Sequence, residues 1–243
     1  QDTTLPPAAA VVFRHVLEHL ADPVSLLRHL RSVLPPATTV LAELPDTARV
    51  LSEAAFWDVY YEHCGYVTRD TLTPMFTAGG LDVRGVESAY QGQYLLVTAS
   101  PTGAPSTARL DPTALSGVRE AARDFGQRAA AGIAGWRSML AWHAAAGRRV
   151  VLWGSGSKAT GFLTALGPQA AAVAAVVDVN PYKQGKFSLG TGHPILAPEA
   201  LVEAPPDVVL VANPVYTGEI TVMLHELGCG PEVLPLDAAP TEV

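Results

Sequence analysis

The chain has few cysteines, little positive charge and no long apolar run, and each shortage excludes a class of protein. Its two cysteines, Cys64 and Cys229, form no CxxC pair, so neither a disulfide framework nor a cysteine zinc site is indicated. No apolar run reaches the ~20 residues that a membrane span requires. The formal net charge of -7 and the lack of a basic run argue against a nucleic-acid surface. The sequence therefore favours a reduced, cytoplasmic protein with neither nucleic acid nor membrane as a partner.

The apolar content is sufficient for one large or two small domains, since hydrophobic residues make up 49% of the 243 residues and charged residues 16%. Residues 10–13 are wholly apolar, which predicts a central parallel strand buried on both faces. Asp22 and Pro23 begin a helix, and residues 39–44 form a second β-rich run. Together these segments predict a βαβ unit of an α/β sheet.

A long connection, residues 45–66, follows the carboxyl end of the second strand, which is where open α/β sheets bind ligands. Thr68 caps the next helix. Residues 81–87 and 93–99 form two neighbouring strands, which give the sheet an antiparallel edge. Residues 1–100 are therefore expected to form one α/β domain.

The rest of the chain predicts a second domain. Residues 101–112 are rich in Pro, Ser, Thr, Gly and Ala, as in a linker. Apolar residues then recur at steps of three and four over residues 113–146, which predicts one long bridging helix, with a coiled-coil partner as the alternative. Residues 147–243 begin with an apolar strand, a glycine turn and an apolar helix, the pattern of a nucleotide-binding α/β domain.

The glycine turn reads Gly154-Ser155-Gly156-Ser157-Lys158. Its backbone N–H groups and the following helix N-terminus can bind phosphate, and Lys158 adds positive charge. Asp178 ends the next strand at roughly the distance, about twenty residues, of a ribose-binding acid. Tight strand-to-helix turns use glycine in any case, so both nucleotide or nucleotide-sugar binding and a plain structural turn stay open.

The loop after Asp178 contains Asn180, Lys183, Lys186 and several glycines and prolines. Such a loop can wrap a diphosphate, and a solvated surface turn has the same composition.

Tyr60-Tyr61-Glu62-His63-Cys64-Gly65-Tyr66 concentrates reactive side chains in an otherwise bland sequence. His63 titrates near neutral pH and could remove a proton, with Glu62 or a phenol setting its tautomer. The alternative is an aromatic turn that packs at a domain edge and bonds its polar tips to backbone.

His15-Val16-Leu17-Glu18-His19 fits the HxxEH pattern of inverse zinc peptidases. That pattern requires a continuous helix with both histidines on one face. Here it lies between a strand and a helix, so a structural histidine pair or a site role for His19 is favoured over zinc.

With these motifs identified, the chain resembles the C-terminal two-thirds of the sugar C-methyltransferases, which use S-adenosylmethionine to methylate a carbon next to the keto group of nucleotide-linked deoxysugars. The matching motifs are, in chain order, His15-Val16-Leu17-Glu18-His19, Tyr60-Tyr61-Glu62-His63, Lys183-Gln184-Gly185-Lys186 with Gly190-Thr191-Gly192, and Val211-Ala212-Asn213-Pro214-Val215-Tyr216 followed by Glu219-Ile220.

The resemblance implies a partial class I methyltransferase sheet, Rossmann-like with an antiparallel edge, in residues 1–100, and a Rossmann-like sugar-nucleotide domain in residues 147–243. It implies that His63 is the base for the α-proton and that His19 and Tyr60 hold the sugar and stabilise the enolate oxygen, with Glu62 beside them. No metal site is expected. The implied substrate-binding residues are Gly154, Ser155, Gly156, Ser157, Lys158, Asp178, Asn180, Lys183, Lys186, Asn213 and Tyr216.

The chain departs from this family in two respects. Members begin with a cysteine-rich zinc-binding domain and then a glycine-rich strand-turn-helix that holds S-adenosylmethionine, and neither is in this sequence. We expect either a fragment or a natural relative without its own cofactor-binding turn. The Gly-Ser-Lys of the phosphate turn also differs from the branch that makes antibiotic sugars, which leaves the sugar unassigned.

Two other functions fit parts of the sequence. An NAD-dependent oxidoreductase would use Gly154, Gly156 and Asp178, although the most reactive cluster lies in the other half of the chain. The second alternative function is that of a non-catalytic remnant that binds a nucleotide-sugar.

We predict that this chain alone binds S-adenosylmethionine poorly or not at all, because it lacks the family's cofactor-binding turn. Isothermal titration calorimetry measures this directly, and micromolar affinity would refute the expectation.

Overall fold

The computed structural model describes residues 8–102 and 112–238, and its contacts divide the chain into two units. The first unit comprises Gln1–Ser52 and Tyr61–Asp124, and the second comprises Glu53–Tyr60 and Phe125–Val243. Residues 53–60, which we call the inserted segment, therefore belong to the second unit although they interrupt the first in sequence. Most of the linker expected at residues 101–112 lies outside the described residues.

The sheet of the first unit combines one parallel and two antiparallel strand pairs. Strand β1 pairs parallel with β2, β2 pairs antiparallel with β4, and β4 pairs antiparallel with β3, in the order β1-β2-β4-β3. The predicted βαβ unit and the antiparallel edge are confirmed. The strands are β1 (Ala10–Arg14), β2 (Thr39–Pro45), β3 (Asp82–Ala89) and β4 (Tyr94–Ser100).

The helices of the first unit begin at residues whose side chains satisfy free backbone groups. Besides its sheet, the first unit contains helices α1 (Pro23–Val33), α2 (Thr47–Ser52) and α3 (Arg69–Ala78). Asp22 Oδ1 accepts from the Ser25 N–H at 3.0 Å at the start of α1, and the Thr68 N–H donates to Thr71 Oγ1 at 2.9 Å at the start of α3. Both starts agree with the sequence prediction.

The prediction that residues 10–13 form a central strand buried on both faces is wrong. Strand β1 is at the edge of the described sheet, and Val12 is 61% exposed. The core covers one face of the sheet, where alternate residues of β2 and β4 pack against α1 and α3. An apolar run shows that a strand has no charged residues, but it does not show whether one or both faces of the strand are buried. The buried residues of this core include Leu27, Leu30, Val40, Ala42, Leu44, Leu72, Phe76, Leu95, Val97 and Ala99.

The long helix predicted at residues 113–146 is α4 (Pro112–Ala145). Its residues up to Asp124 belong to the first unit and those from Phe125 to the second. In the second unit it buries Trp136, Met139 and Leu140. Neither α4 nor any other helix within residues 8–102 and 112–238 is long and apolar enough to cross a membrane.

The sheet of the second unit is entirely parallel, in the order β7-β6-β5-β8-β9. Counted along the chain this is 3-2-1-4-5, the order of a Rossmann-like sheet, in which the chain reverses direction across the sheet between its first and fourth strands. The second Rossmann-like domain is thus confirmed. The strands are β5 (Val150–Trp153), β6 (Val173–Val177), β7 (Ile195–Leu196), β8 (Val208–Val211) and β9 (Glu232–Pro235).

Helices α5 (Ser157–Leu166), α6 (Ala200–Glu203) and α7 (Thr217–Glu226) complete the second unit. Strands β5 and β8 are buried at every residue, as central parallel strands are. The sequence prediction missed β7 and β9. Strand β7 has only two residues, and β9 is nowhere fully buried, so neither produces a clear apolar run.

The inserted segment packs tightly against α5. Phe56 stacks on Phe162 with ring centroids 6.1 Å apart. A Cβ added to Gly161 would lie 2.8 Å from the carbonyl oxygen of Trp57, closer than a methyl group can approach. Glycine at position 161 therefore permits the backbone of the inserted segment to contact the helix.

We predict that Gly161→Ala destabilises the protein by about 1–3 kcal/mol, because the new methyl group collides with backbone that cannot rotate away. Gly126→Ala is the matched control, since Gly126 is also helical but has nothing within 4 Å of its added Cβ. There we expect stabilisation of about 0.5–1 kcal/mol from helix propensity. Urea unfolding measures both, and equal stability of the two variants would contradict the close contact.

Candidate functional site

Two histidines of the first unit are brought together by one backbone carbonyl. The chain after β1 forms a 3₁₀ turn, Leu17–His19, in which Glu18 is buried. The carbonyl of Glu18 accepts from the N–H groups of Cys64 and Gly65 at 2.7 and 3.0 Å. This attachment places the His19 and His63 rings edge to face, with centroids 4.9 Å apart.

A hydrogen bond fixes the tautomer of neutral His19. Its Nδ1 lies 3.0 Å from the backbone carbonyl of Glu62. Because a carbonyl only accepts, Nδ1 carries the proton and Nε2 of the neutral ring carries the lone pair. Glu62 thus contacts His19 through its backbone carbonyl. That Glu62 or a phenol sets the tautomer of His63 stays a prediction.

Structure and sequence agree that the HxxEH segment is not the helix of a zinc peptidase, because it forms a strand end and a 3₁₀ turn. His15 Nδ1 lies 3.1 Å from Glu18 Oε1, and His15 Nε2 lies 3.2 Å from Glu43 Oε1. Both ring nitrogens of His15 therefore face carboxylates, and His15 ties the 3₁₀ turn to β2.

Glu18, His19 and His63 form a different group, in which one ligating atom from each residue lies within 4.8 Å of the others. Around a tetrahedral zinc ion with bonds of about 2.1 Å, neighbouring ligand atoms are about 3.4 Å apart. A metal ion would require these side chains to close in. Glu18 Oε2 is buried without a hydrogen-bond partner among the described residues.

The structure assigns Tyr60 to the second unit, whereas Glu62 and His63 belong to the first. The Tyr60 hydroxyl donates to Asp58 Oδ1 at 2.7 Å. The ammonium of Lys158 contacts the same oxygen. The sequence analysis missed Asp58, although an acid between Phe56-Trp57 and Val59 was a usable signal.

In the second unit, the predicted binding residues lie at the carboxyl ends of adjacent parallel strands. Ser155 follows β5, Asp178 follows β6 and Asn213 follows β8. Gly154 has φ 102°, and a Cβ there would lie 3.3 Å from the Ala212 side chain. The first glycine of the turn is thus required by the backbone whether or not a phosphate binds.

Asp178 holds the glycine turn to the following loop. Its Oδ2 accepts from the Ser155 N–H at 2.9 Å and from the Ser155 hydroxyl, and Lys183 Nζ lies 3.3 Å away. Its Oδ1 accepts from the Asn180 N–H at 2.9 Å. Each carboxylate oxygen has about two acceptor positions, so Oδ2 is fully occupied, whereas Oδ1 keeps one position that a ribose hydroxyl could use.

These contacts set the protonation of Asp178. Burial acts to raise the pKa of Asp178, but the hydrogen bonds from Ser155 and Asn180, with the charge of Lys183, outweigh it and hold the pKa below its ordinary value of 3.8. The ionised form is thus favoured in the folded protein. It contributes stability that is present above that value and is lost as the pH falls through the lower folded pKa.

The remaining predicted residues of this unit lie in turns or on the surface. Asn180 Oδ1 accepts from the Tyr182 N–H at 3.0 Å, which closes a turn. Asn213 Oδ1 accepts from the Val215 N–H at 3.4 Å and begins the 3₁₀ turn that contains Tyr216. Lys186 is exposed.

We predict that Ser155→Ala raises the pKa of Asp178 toward its ordinary value, because the substitution removes a donor to Oδ2. Carboxyl ¹³C NMR titration of Asp178 measures the change. Ser157→Ala, at the exposed first turn of α5, is the control and leaves the titration unchanged. Identical titration curves for Ser155→Ala and the unmodified chain would show that this hydroxyl does not set the pKa.

Comparison with known proteins agrees with the sequence motifs. A family model described as the C-methyltransferase C-terminal domain matches residues 115–229, and one described as a methyltransferase domain matches residues 4–86. C-methyltransferase NovU from Streptomyces niveus is 27% identical over 222 residues, which are 88% of this chain and 53% of NovU. The chain thus spans about half the length of that relative.

Solved structures overlap only in part. TnmH is 24% identical with a TM-score of 0.34, over 40% of this chain and 32% of that chain. CalO1, a methyltransferase in calicheamicin biosynthesis in its SAH-bound form, is 23% identical with a TM-score of 0.34, over 40% and 31%. These overlaps are too small to support an argument about the site. The two family models and the similarity to NovU agree with the resemblance of this chain to the sugar C-methyltransferases.

Proposed function

We propose that this chain carries the base and the substrate-binding domain of an S-adenosylmethionine-dependent C-methyltransferase, which methylates the carbon next to the keto group of a nucleotide-linked deoxysugar. The observation that carries the proposal is the pair His19 and His63, whose rings lie 4.9 Å apart on two segments that are joined at the Glu18 carbonyl. Two imidazoles on adjacent segments would supply a base and a second polar group for the same substrate.

His63 is the proposed base. A carbon next to a ketone is a weak acid, so an imidazole removes its proton at a useful rate only if the enolate oxygen is stabilised as it forms. One preorganised donor typically contributes ~3–4 kcal/mol to such a step. His19 is positioned beside His63, and because its Nδ1–H is bonded to Glu62, it donates to an enolate oxygen only when Nε2 is also protonated.

The methyl group would come from S-adenosylmethionine, which supplies an electrophilic methyl to the enolate carbon. The described residues of the first unit include no glycine-rich strand-to-helix turn that fits this cofactor. The steps that this chain's own residues perform are therefore limited to binding the sugar, removing the α-proton and orienting the enolate.

The sugar nucleotide would bind at the carboxyl ends of β5, β6 and β8. The N–H groups of residues 154–157 at the start of α5 suit the diphosphate. Lys183 and Lys186 supply positive charge, and Asn213 and Tyr216 line the end of β8. Asp178 would keep the turn and loop in place through Oδ2 while contacting the ligand through Oδ1.

Composition supports the remaining parts of the proposal. The charge of -7 disfavours a nucleic-acid partner, and two unpaired cysteines suit a cytoplasmic location.

We expect the chain to catalyse exchange of the sugar's α-proton in deuterated water, because a working base exchanges that proton even without a methyl donor. The probe is a dTDP-linked 4-keto-6-deoxyhexose, followed by NMR. His63→Ala should lower the exchange rate by about 10²–10⁴-fold, the usual contribution of a general base. His29→Ala, which removes an exposed histidine of α1, is the control.

Three outcomes separate the candidates. Exchange that depends on His63 supports the methyltransferase proposal. A bound keto-sugar without exchange above background, and without an effect of His63→Ala, identifies a sugar-nucleotide-binding remnant. Quenching of intrinsic fluorescence by NADH, with no keto-sugar binding, identifies the oxidoreductase.

A further inference from the structure

We propose that Lys158 is a positioning residue, which holds the phenol of Tyr60 through Asp58, and that it does not serve as a phosphate ligand. The inference rests on the proposed function in one respect, namely that Tyr60 contacts the sugar. It assigns a role to the ion pair between α5 and the inserted segment that neither the motifs nor the family models specify.

The geometry joins three polar groups at a single atom. Lys158 is in the first turn of α5, and its ammonium contacts Asp58 Oδ1. The Tyr60 hydroxyl donates to the same oxygen at 2.7 Å. The side chain of Lys158 is 14% exposed and that of Asp58 is 7% exposed. The Asp58 carboxylate thus fixes both the ammonium and the phenol proton.

Burial explains why Asp58 requires this partner. The carboxylate follows two buried aromatic residues, Phe56 and Trp57, which are 8% and 4% exposed. An ionised carboxylate out of water is strongly unfavourable unless a positive charge and hydrogen bonds compensate for the lost hydration. Lys158 supplies that charge, and Tyr60 supplies a hydrogen bond.

The same argument disfavours Lys158 as a phosphate ligand. To bind a diphosphate, the ammonium would have to leave Asp58 and abandon a buried carboxylate near an incoming anion. The exposed Lys186 provides positive charge without that penalty. Lys183, with 42% of its side chain exposed, pairs with Asp178, which also keeps hydrogen bonds from Ser155 and Asn180, so a shift of Lys183 toward an anion costs less. The charge of Lys158 is therefore already committed inside the second unit.

The backbone around Asp58 is fixed as well, which makes the ion pair a device for orientation. The carbonyl of Trp57 lies against Gly161, and Phe56 stacks on Phe162, so the inserted segment cannot slide along α5. With the backbone held, the remaining freedom is rotation of the Tyr60 side chain, and the bond to Asp58 removes it. Prepositioning a group in this way lowers the entropy cost of the reaction.

A double-mutant cycle tests the inference. The variants are Lys158→Met, Lys158→Arg, Asp58→Asn and the double variant Asp58→Asn with Lys158→Met. For each variant two quantities are measured: the rate and apparent KM of α-proton exchange in the dTDP-linked 4-keto-6-deoxyhexose, and the ¹³Cζ NMR signal of Tyr60, assigned with Tyr60→Phe. The NMR signal requires no activity, so it tests the positioning role even if the proposed function fails.

We expect Lys158→Met to lower the maximal exchange rate about tenfold or more, with KM little changed, and to shift the Tyr60 signal. Lys158→Arg should keep most of both. In the Asp58→Asn background, where no buried charge needs a partner, Lys158→Met should change the rate by less than about twofold.

The opposite pattern would overturn the inference. If Lys158 were a phosphate ligand, Lys158→Met would raise KM by the same factor whether residue 58 is Asp or Asn. The Tyr60 signal would then not shift. If Lys158→Met alone does not fold, the comparison of Asp58→Asn with the double variant still separates the two roles, because it contains no unpaired buried carboxylate.

Discussion

The packing of the inserted segment on α5 is the constraint on which the rest of this structure depends. The chain leaves the first unit after Ser52, contributes Glu53–Tyr60 to the second, and returns at Tyr61. Because the carbonyl of Trp57 lies against Gly161, there is little freedom in where Tyr60 is presented. His63 follows Tyr60 by three residues and belongs to the first unit. The predicted site residues of this short stretch are therefore divided between the two units.

Backbone groups, more than side chains, build the histidine pair. The Glu18 carbonyl accepts from two consecutive N–H groups of the returning chain, and the Glu62 carbonyl accepts from His19. Such contacts depend little on the identity of Cys64 or Glu62. They fix the position of one imidazole and the tautomer of the other, which is what proton transfer between a substrate carbon and a histidine requires.

The second unit uses a buried acid to shape the carboxyl edge of its sheet. Asp178 collects donors from Ser155, Asn180 and Lys183, so the turn after β5 and the loop after β6 behave as one surface. In a Rossmann-like sheet this acid is usually considered as a ligand for ribose. Here its first role is structural, and the same residue types at the same spacing serve both purposes.

By itself, the sequence determined the α/β class, the antiparallel edge, the starts of α1 and α3, and the proximity of His19 to the reactive cluster by resemblance. These follow from local periodicity, capping and motif order. Tertiary structure decided that β1 lies at an edge of the described sheet, that Tyr60 is assigned to a different unit from His63, and that Lys158 pairs with Asp58. The reason is physical: burial and pairing depend on residues 100 positions apart, as with Asp58 and Lys158, and no local pattern records which distant group will neutralise a charge.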